Sequence, residues 1–482
     1  MELMSASDFL AILPLLLLAG SSVLIMLLIA IRFSHRLIQL SSLLLFTISF
    51  SSLFYIRKAI PYKLEPLLII DGFSVFIMGL IIFSSIVVNI ISYIYFEEKE
   101  ESPKEYYVLL FLCTLGACVL AVSKHFVSLF LGLEILTVGL YALMAYLRGR
   151  NHSIEAGIKY LILAAFSSAF LLFGMALIYM ETGSMDFAEI GENLNKIESM
   201  SPIFITGLGM MLVGIGFKLA VVPFHMWTAD VYQGAPAPVT AFIATASKGG
   251  VFAVLFRFFT AIDGFRNDKI ILTIVFITIA SMIVGNLLAL QQKNVKRILA
   301  YSSIAHLGYL LVAFIPGSTL SFFALSFYLL AYFITTLSTL GVVTILSDKT
   351  GDAEDISAYK ALFWQNPILA LIFSISLISL AGIPLTAGFI GKFYILSAAI
   401  QSGFWLISIV LILSSVIGLY YYLRIITIMF SGRKTTVLKV VESHPVFYRT
   451  SLITLVILTL LIIWFGVYPS QLMQFMADLI VW

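Results

Sequence analysis

Blocks of about 20 apolar residues, the length that spans a bilayer as an α-helix, follow one another along almost the whole chain. Only 11% of the residues are charged, whereas soluble domains carry about 25%. Lipid cannot satisfy the hydrogen bonds of irregular backbone, so chains that cross a bilayer do so as helices or closed barrels. Apolar blocks of this length therefore predict an all-α polytopic membrane protein.

The apolar blocks predict about 14 transmembrane helices in a single integral membrane domain, residues 1–482. An even number of helices places both termini on the same side. Acidic rather than basic residues precede the first block, so we expect a first spanning helix and not a cleaved signal. The predicted helices cover residues 9–31, 37–56, 67–96, 106–122, 126–147, 155–180, 202–227, 237–261, 270–291, 298–315, 320–346, 367–397, 403–430 and 450–468.

The loops differ in their content of lysine and arginine. One set of alternate loops carries about twice as many basic residues as the other, and such loops normally face the cytoplasm. This distribution predicts that both termini face outward. The loops are too short to form a soluble domain, so we expect neither a nucleotide site nor a redox centre in this chain.

Several charged residues fall inside the predicted helices, where each costs roughly 2.5 to 3.5 kcal/mol near the bilayer centre. Lys248 lies about 17 Å from the start of its predicted helix, too deep to reach the headgroups easily. Glu134 is the acidic residue at comparable depth. Lys159 is shallower, and Glu155, one helical turn earlier, could pair with it in a surface contact. The basic residues within predicted spans are Lys159, Lys218, Lys248, Arg257, Lys392 and Arg424.

Two predicted helices contain both a proline and a lysine. Lys218 precedes Pro223 in one of them, and Pro384 precedes Lys392 in the other, five helices later. Proline interrupts a helix, and freed backbone groups at membrane depth normally line a hydrated cavity. A shift of five helices reverses direction through the bilayer, as in an inverted repeat with sites at broken helices. Since the order of lysine and proline differs, we infer that the combination of a helix break and a lysine occurs twice, without strict symmetry.

The deep charges permit two interpretations. Glu134 and one lysine could form a static salt bridge that holds two helices together. Alternatively, a buried lysine whose carboxylate partner moves away would gain and lose a proton near neutral pH. The surplus of lysines favours the second interpretation. His225 and His306 add titratable groups, although a lone buried histidine is more often a satisfied polar residue.

Three segments carry a family resemblance: Phe217–Phe242, Asn294–Tyr309 and Ala381–Phe393. They closely resemble the antiporter-like membrane subunits of NADH:quinone oxidoreductase, respiratory complex I, and the resemblance extends over nearly the whole chain. The stretch Tyr232–Pro236 is most similar to the N-type subunits, and Lys392 differs from the glutamate usual in M-type subunits.

The resemblance implies two inverted five-helix repeats, here residues 106–261 and 270–430, with extra helices beside them. It also implies proton translocation across a bacterial inner membrane with both termini on the periplasmic side. The implied roles in proton transfer are a switching pair for Glu134 and Lys218, a relay for Lys248 and His306, a terminal site for Lys392 and an auxiliary charge for Lys159.

By the same resemblance, the chain would bind no cofactor, while FMN, iron-sulfur clusters and quinone would be held by partner subunits. The expected partners are other complex I membrane subunits and the lipid bilayer, with no nucleic acid. The chain alone would have no catalytic activity. Two other classes stay open: a subunit of a multisubunit cation/proton antiporter, which uses the same fold and charges, and a dihaem electron carrier that uses His225 and His306.

Overall fold

The computed structural model of the protein describes residues 5–57, 60–99, 103–196, 200–348, 351–432 and 445–479. Part of the predicted orientation rests on basic residues outside these ranges. These residues are Lys58, Lys349, Arg433, Lys434 and Lys439.

The described part of the chain is almost entirely helical, which confirms the predicted all-α membrane fold. A π-helical turn, Ile243–Ser247, separates α11 from α12. The helices are α1 Ala6–Ala11, α2 Leu13–Ala30, α3 His35–Ile56, α4 Gly72–Lys99, α5 Glu105–Val122, α6 Phe126–Met144, α7 Asn151–Thr182, α8 Phe187–Asn195, α9 Pro202–Leu219, α10 Trp227–Gly234, α11 Ala237–Phe242, α12 Lys248–Ala261, α13 Asp268–Leu290, α14 Val295–Phe314, α15 Thr319–Leu346, α16 Leu362–Gln365, α17 Pro367–Ala381, α18 Ala387–Gln401, α19 Trp405–Phe430, α20 Pro445–Val467 and α21 Pro469–Leu479.

Within the described ranges, 13 helical segments are long and apolar enough to cross a membrane, counting Ala237–Ala261 as one. The further span predicted at residues 367–397 is divided into α17 and α18, each of 15 residues. This division accounts for the difference from the predicted number. The boundaries of the two predicted repeats stay a prediction.

The predicted span at residues 67–96 begins too early. The helix α4 starts at Gly72, and a short antiparallel hairpin of β1 (Tyr62–Leu64) and β2 (Leu68–Ile70) precedes it. Pro66 lies in the turn between the strands, and a proline disfavours helical backbone at the preceding residue. The apolar run is therefore continuous in sequence but not in structure.

Two helices are interrupted where the sequence places its prolines. The helix α9 ends at Leu219, and Ala220 adopts a left-handed conformation with a φ of 60°. The helix α17 ends at Ala381, and Gly382 has a φ of 83°, which glycine tolerates best. At the second break, a Cβ on Gly388 would lie 1.9 Å from the carbonyl oxygen of Ser379. Only glycine fits this close approach of α17 and α18.

Three helical segments form the enclosed centre of the molecule. In their most apolar 18-residue stretches, Ala237–Ala261 is 100% buried, α15 is 94% buried and α14 is 89% buried. By contrast, α2 and α20 are only 33% buried and expose apolar side chains. This distribution places the central helices away from lipid, and two of them carry Lys248 and His306.

Candidate functional site

Lys218 lies in the last turn of α9, directly before the first helix break, and is only 4% exposed. Its Nζ atom donates hydrogen bonds to Thr137 Oγ1 at 2.7 Å and to the Tyr160 hydroxyl at 3.3 Å. The ring of Tyr160 also lies 5.0 Å from Nζ, within the range of a cation–π contact. The ring of Phe217 lies 5.7 Å away as well, so the burial of Lys218 is offset by two hydroxyl groups and two aromatic rings.

Glu134 lies on α6 and is half-buried. Its carboxylate accepts a hydrogen bond from Ser168 Oγ at 2.7 Å, whereas Lys218 binds Thr137, one helical turn further along α6. Residues three apart share a helix face, so Glu134 and Thr137 lie on the same face of α6. The carboxylate of Glu134 binds Ser168, whereas the ammonium of Lys218 binds Thr137. No direct ion pair joins these two described residues, and the static salt bridge considered from the sequence is not formed in this structure.

Lys248 follows the π-helical turn directly and is 1% exposed. Such turns within α-helices occur often at functional sites. Its Nζ atom donates a hydrogen bond to Ser303 Oγ at 2.6 Å, and Ser303 is in turn 2.5 Å from the Tyr332 hydroxyl and 3.4 Å from the Tyr232 hydroxyl. Lys248 therefore ends a chain of hydroxyl groups that links α12, α14 and α15.

His306 lies on α14 among tyrosines. Its Nδ1 atom is 2.6 Å from the Tyr328 hydroxyl, and its Nε2 atom is 3.2 Å from the Tyr422 hydroxyl. Both ring nitrogens therefore have hydrogen-bond partners in this arrangement. The ring of Tyr332 lies 5.4 Å from the His306 ring, which places the histidine beside the hydroxyl chain of Lys248.

Lys392 lies on α18, after the second break, and is 7% exposed. Its Nζ atom donates hydrogen bonds to the carbonyl oxygens of Leu380 and Ala381 at 2.9 and 3.0 Å and to Ser415 Oγ at 2.9 Å. These carbonyls end α17 and have no partner within the helix. The lysine charge also complements the negative end of the helix dipole.

Tyr309 connects Lys392 with His306. Its ring lies 4.8 Å from Lys392 Nζ and 5.4 Å from the His306 ring. Its hydroxyl contacts Asn286 Nδ2 at 3.0 Å and Ser414 Oγ at 3.2 Å. An uninterrupted series of polar and aromatic contacts thus runs from Lys248 to Lys392.

The candidate site consists of two groups of side chains. Among the hydrogen bonds of the described residues, none joins one group to the other. The first cluster is Glu134, Thr137, Tyr160, Ser168 and Lys218, and the second cluster is Lys248, Ser303, His306, Tyr309, Tyr328, Tyr332, Lys392, Ser415 and Tyr422.

His225 and Pro223 lie in the break between α9 and α10, outside both clusters. His225 is buried, and its Nδ1 atom has no hydrogen-bond partner among the described residues. Pro223 cannot donate a backbone hydrogen bond, and the preceding N–H, that of Val222, donates to Ser281 Oγ at 2.9 Å. The break is therefore tied to α13.

Lys159 belongs to a different group from Glu134. Its side chain is 43% exposed and pairs with Glu155 at 2.7 Å and with Asp230 at 3.0 Å. Asp230 also binds Arg297 at 2.7 Å. Lys159 therefore lies in a surface network that joins α7, α10 and α14.

Comparison with known proteins identifies the family. Residues 123–418, more than half of the chain, match the family described as "NADH:quinone oxidoreductase/Mrp antiporter, TM". The chain belongs to this family. This match includes every lysine of the two clusters and both helix breaks.

Solved structures of three complexes contain chains with the same fold. A chain of respiratory complex I from Thermus thermophilus with bound aureothin is 31% identical, with a TM-score of 0.82, over 96% of this chain and 98% of that one. A chain of the membrane-bound sulfane sulfur reductase, an archaeal respiratory membrane complex, is 25% identical, with a TM-score of 0.86, over 97% and 96%. A chain of the Mrp complex from Dietzia sp. DQ12-45-1b is 19% identical, with a TM-score of 0.84, over 99% and 97%.

This member of the NADH:quinone oxidoreductase/Mrp antiporter family also contains a buried ion-pair cluster that sequence reasoning missed. Asp352 accepts hydrogen bonds from Lys296 at 2.8 Å, Lys99 at 3.1 Å, Arg150 at 3.2 Å and the Tyr95 hydroxyl at 2.7 Å. Burial raises the pKa of the Asp352 carboxyl, but the attraction of Lys296 and Lys99 and the hydrogen bonds outweigh this effect and hold the pKa well below its usual range.

The sequence contained an unused signal for this cluster. By the predicted helix boundaries, Lys99, Arg150, Lys296 and Asp352 all fall in loops on the same side of the membrane. Shared sidedness places the four residues near one another, but it does not reveal that Lys296 is fully buried.

The hydroxyl groups of the two clusters were also missed. Helical spacing could have suggested some of them, since Thr137 is three residues from Glu134 and Ser303 is three residues from His306. Tyr160, Ser415 and Tyr422 come from other helices, and only the packed structure brings them to the lysines.

Proposed function

We propose that this chain is a proton-translocating membrane subunit of an NADH:quinone oxidoreductase. The observation that carries the proposal is the pair of buried lysine clusters, each built beside an interrupted helix. The family membership and the 31% identity to a complex I chain over 96% of this one support it. In this proposal, partner subunits hold FMN, the iron-sulfur clusters and the quinone, and this chain performs no redox step.

The proposed proton pathway uses lysines, hydroxyls and one histidine. A hydroxyl group donates and accepts hydrogen bonds, so the series Lys248, Ser303 and Tyr332 can pass a proton without moving a helix. Around His306, the hydroxyls of Tyr328 and Tyr422 supply the same capacity. A small cavity beside Ser303 and Tyr332 has room for about one water molecule, which would extend the series.

The first cluster supplies the proposed switch. Because Glu134 is bound by Ser168 and not by Lys218, a change of partner within this cluster would bring the carboxylate and the ammonium together or apart. An approaching carboxylate favours protonated lysine, and its withdrawal favours proton release. Lys392, held by carbonyl oxygens, would be the terminal site of the second cluster.

The finer assignment is to the N-type subunits. It rests on the Tyr232–Pro236 stretch and on a lysine at position 392. We propose that other membrane subunits of the complex are the partners and that the chain resides in a bacterial inner membrane with both termini in the periplasm.

A second candidate is a subunit of a cation/proton antiporter. The Mrp chain matches 99% of this chain with a TM-score of 0.84, so the fold suits both functions. Its 19% identity, against 31% for the complex I chain, favours the oxidoreductase.

Native purification distinguishes the two functions. If the chain is an oxidoreductase subunit, it should co-migrate on a blue native gel with NADH dehydrogenase activity and with bound FMN. The chain expressed alone should oxidise no NADH. Co-migration with only other membrane chains, and without flavin, would favour the antiporter. NADH oxidation by the isolated chain would contradict a non-redox subunit.

A further inference from the structure

An apolar groove of about 250 Å³ lies between α3, α4, α15, α20 and α21, and none of the residues of the two lysine clusters lines it. Almost all of its wall is apolar. The one charged side chain in this wall is Arg57. Representative wall residues are Phe50, Phe54, Gly79, Phe83, Leu330 and Phe465.

Arg57 marks one end of the groove. It is the first residue after α3, it is exposed, and its guanidinium lies 6.0 Å from the ring of Phe475 on α21. Lys58 follows in the sequence, and Lys63 on β1 is exposed. Basic side chains at the ends of membrane helices normally reach the headgroup level. The groove thus begins beside positive charge and continues along apolar helix surfaces.

The depth of the groove follows from the positions on α3. Phe50 and Arg57 both line it and are separated by about two helical turns, or about 10 Å along the helix axis. The groove therefore runs from the headgroup level into the hydrocarbon region and is long and narrow.

The polarity of the groove restricts its occupant. Among the described residues that line it, all are apolar except Arg57 at one end. A molecule with an anionic head and a narrow, flexible hydrocarbon chain matches both features.

We propose that this groove binds an anionic phospholipid, with an acyl chain against the apolar wall and the phosphate against Arg57. Guanidinium groups pair with phosphate through two parallel hydrogen bonds. The positive charge of Arg57 favours a headgroup that carries a negative charge. The site is independent of proton transfer, and it would fasten α3 and α21 to α4 and α15.

Gly79 allows the groove to be filled selectively. A Cβ at this position would meet only Leu53 Cδ1, at an ordinary contact distance of 3.7 Å. We therefore expect Gly79→Leu to fold and to occupy the space of the acyl chain. Gly20→Leu is the matched control, because a Cβ on Gly20 of α2 would meet no heavy atom within 4 Å.

The experiment reloads delipidated full-length protein with phosphatidylglycerol in detergent and counts tightly bound lipids by native mass spectrometry. The wild type and Gly20→Leu should retain one more phosphatidylglycerol molecule than Gly79→Leu. Equal retention by Gly79→Leu and the wild type would overturn the proposal.

Arg57 provides a test that does not depend on filling the groove. Arg57→Gln should weaken phosphatidylglycerol binding about fivefold, the effect of one basic residue at an anionic surface, whereas Arg57→Lys should weaken it less. Phosphatidylcholine should bind more weakly than phosphatidylglycerol to the wild type. If both lipids bind equally and Arg57→Gln changes neither, or if a cysteine at Phe54 cross-links to a polypeptide in the native complex, the occupant is not an anionic lipid.

Discussion

Lys218 and Lys392 both lie beside a broken helix, but different chemical groups offset the free-energy cost of burying their charges. Lys218 precedes its break and binds the side chains of Thr137 and Tyr160. Lys392 follows its break and binds mainly backbone carbonyls at the end of α17. The position of the lysine relative to the break therefore determines whether its ammonium group donates hydrogen bonds to side chains or to backbone carbonyls.

This difference separates an adjustable site from a fixed one. Side-chain hydroxyls rotate, and Glu134 lies on the same helix as Thr137, so the surroundings of Lys218 can change without a helix movement. The carbonyls that hold Lys392 are fixed by the end of α17 and by the close contact of Gly388 with Ser379. We infer that the first cluster switches while the second cluster holds and passes the proton.

The largest expected effect comes from removing either lysine. Lys218→Ala and Lys392→Ala should each lower NADH-driven proton pumping on the order of a hundredfold, because a positioned proton-transfer group contributes about 10² to 10⁴. The assembled complex in liposomes, with a pH-sensitive dye, provides the measurement. Lys269→Ala, at an exposed site on α13, is the control.

Arginine at the same positions tests whether charge alone suffices. Lys392→Arg keeps the positive charge but cannot release its proton, since the pKa of arginine stays above about 12. It should pump as poorly as Lys392→Ala. Wild-type pumping by the arginine variant would mean that Lys392 supplies only a fixed charge, and the difference between the two clusters would then lose its functional meaning.

The next largest effect concerns the Asp352 cluster, in which Asp352 contacts Lys99 at the end of α4, Arg150 at the start of α7 and Lys296 on α14. Removing one partner of a buried ion pair costs about 3 to 5 kcal/mol, so Asp352→Asn should lower the melting temperature of the complex clearly. Glu192→Gln, at an exposed site on α8, should leave it unchanged. An equal melting temperature for Asp352→Asn would show that the cluster does not stabilise the packing of α4, α7 and α14.

The same carboxyl predicts a dependence on pH. Because the folded state lowers the pKa of Asp352, its contribution to stability is complete above the unfolded value of about 3.9 and is lost as the pH falls through the folded value. The difference in unfolding free energy between wild type and Asp352→Asn should therefore be constant from about pH 5 to 7 and shrink in stronger acid. A difference that shrinks already near pH 6 would assign the effect to another group.

A smaller effect is expected from the hydroxyls of the first cluster. A hydrogen bond to a charged group contributes about 1.5 to 3 kcal/mol. The double variant Thr137→Val with Tyr160→Phe loses one bond of 2.7 Å and a weaker bond of 3.3 Å, so pumping should fall by at least about tenfold. Thr206→Val is the control, because its hydroxyl is exposed and binds only the carbonyl of Pro202 in its own helix. Unchanged pumping by the double variant would remove these hydroxyls from the switch.

The sequence was sufficient for the fold class but only partly for the site. Apolar length predicted the membrane helices, and Pro223 and Pro384 predicted where two of them break. The family resemblance implied that Glu134 and Lys218 form a pair, but it could not assign Ser168 as the partner of Glu134, because that contact depends on how α6 and α7 pack. Hydropathy places Lys296 just before a predicted helix and does not report that the loop carrying Asp352 folds over it.

The smallest effect is expected at Ser415, and it tests the comparison most directly. Ser415→Ala removes one of three hydrogen bonds from Lys392, but the carbonyls of Leu380 and Ala381 remain. Because two of the three partners remain, we expect a loss near the lower end of the range of about 0.5 to 1.5 kcal/mol that a typical hydrogen bond contributes. A loss of about 0.5 kcal/mol lowers a rate about twofold. Ser408→Ala, which removes a hydroxyl bound only to the backbone of its own helix region, is the control on α19. If Ser415→Ala lowers pumping as much as the double variant at Thr137 and Tyr160, a side chain and not the end of α17 holds Lys392. In both clusters, side chains would then be the groups that hold the lysine.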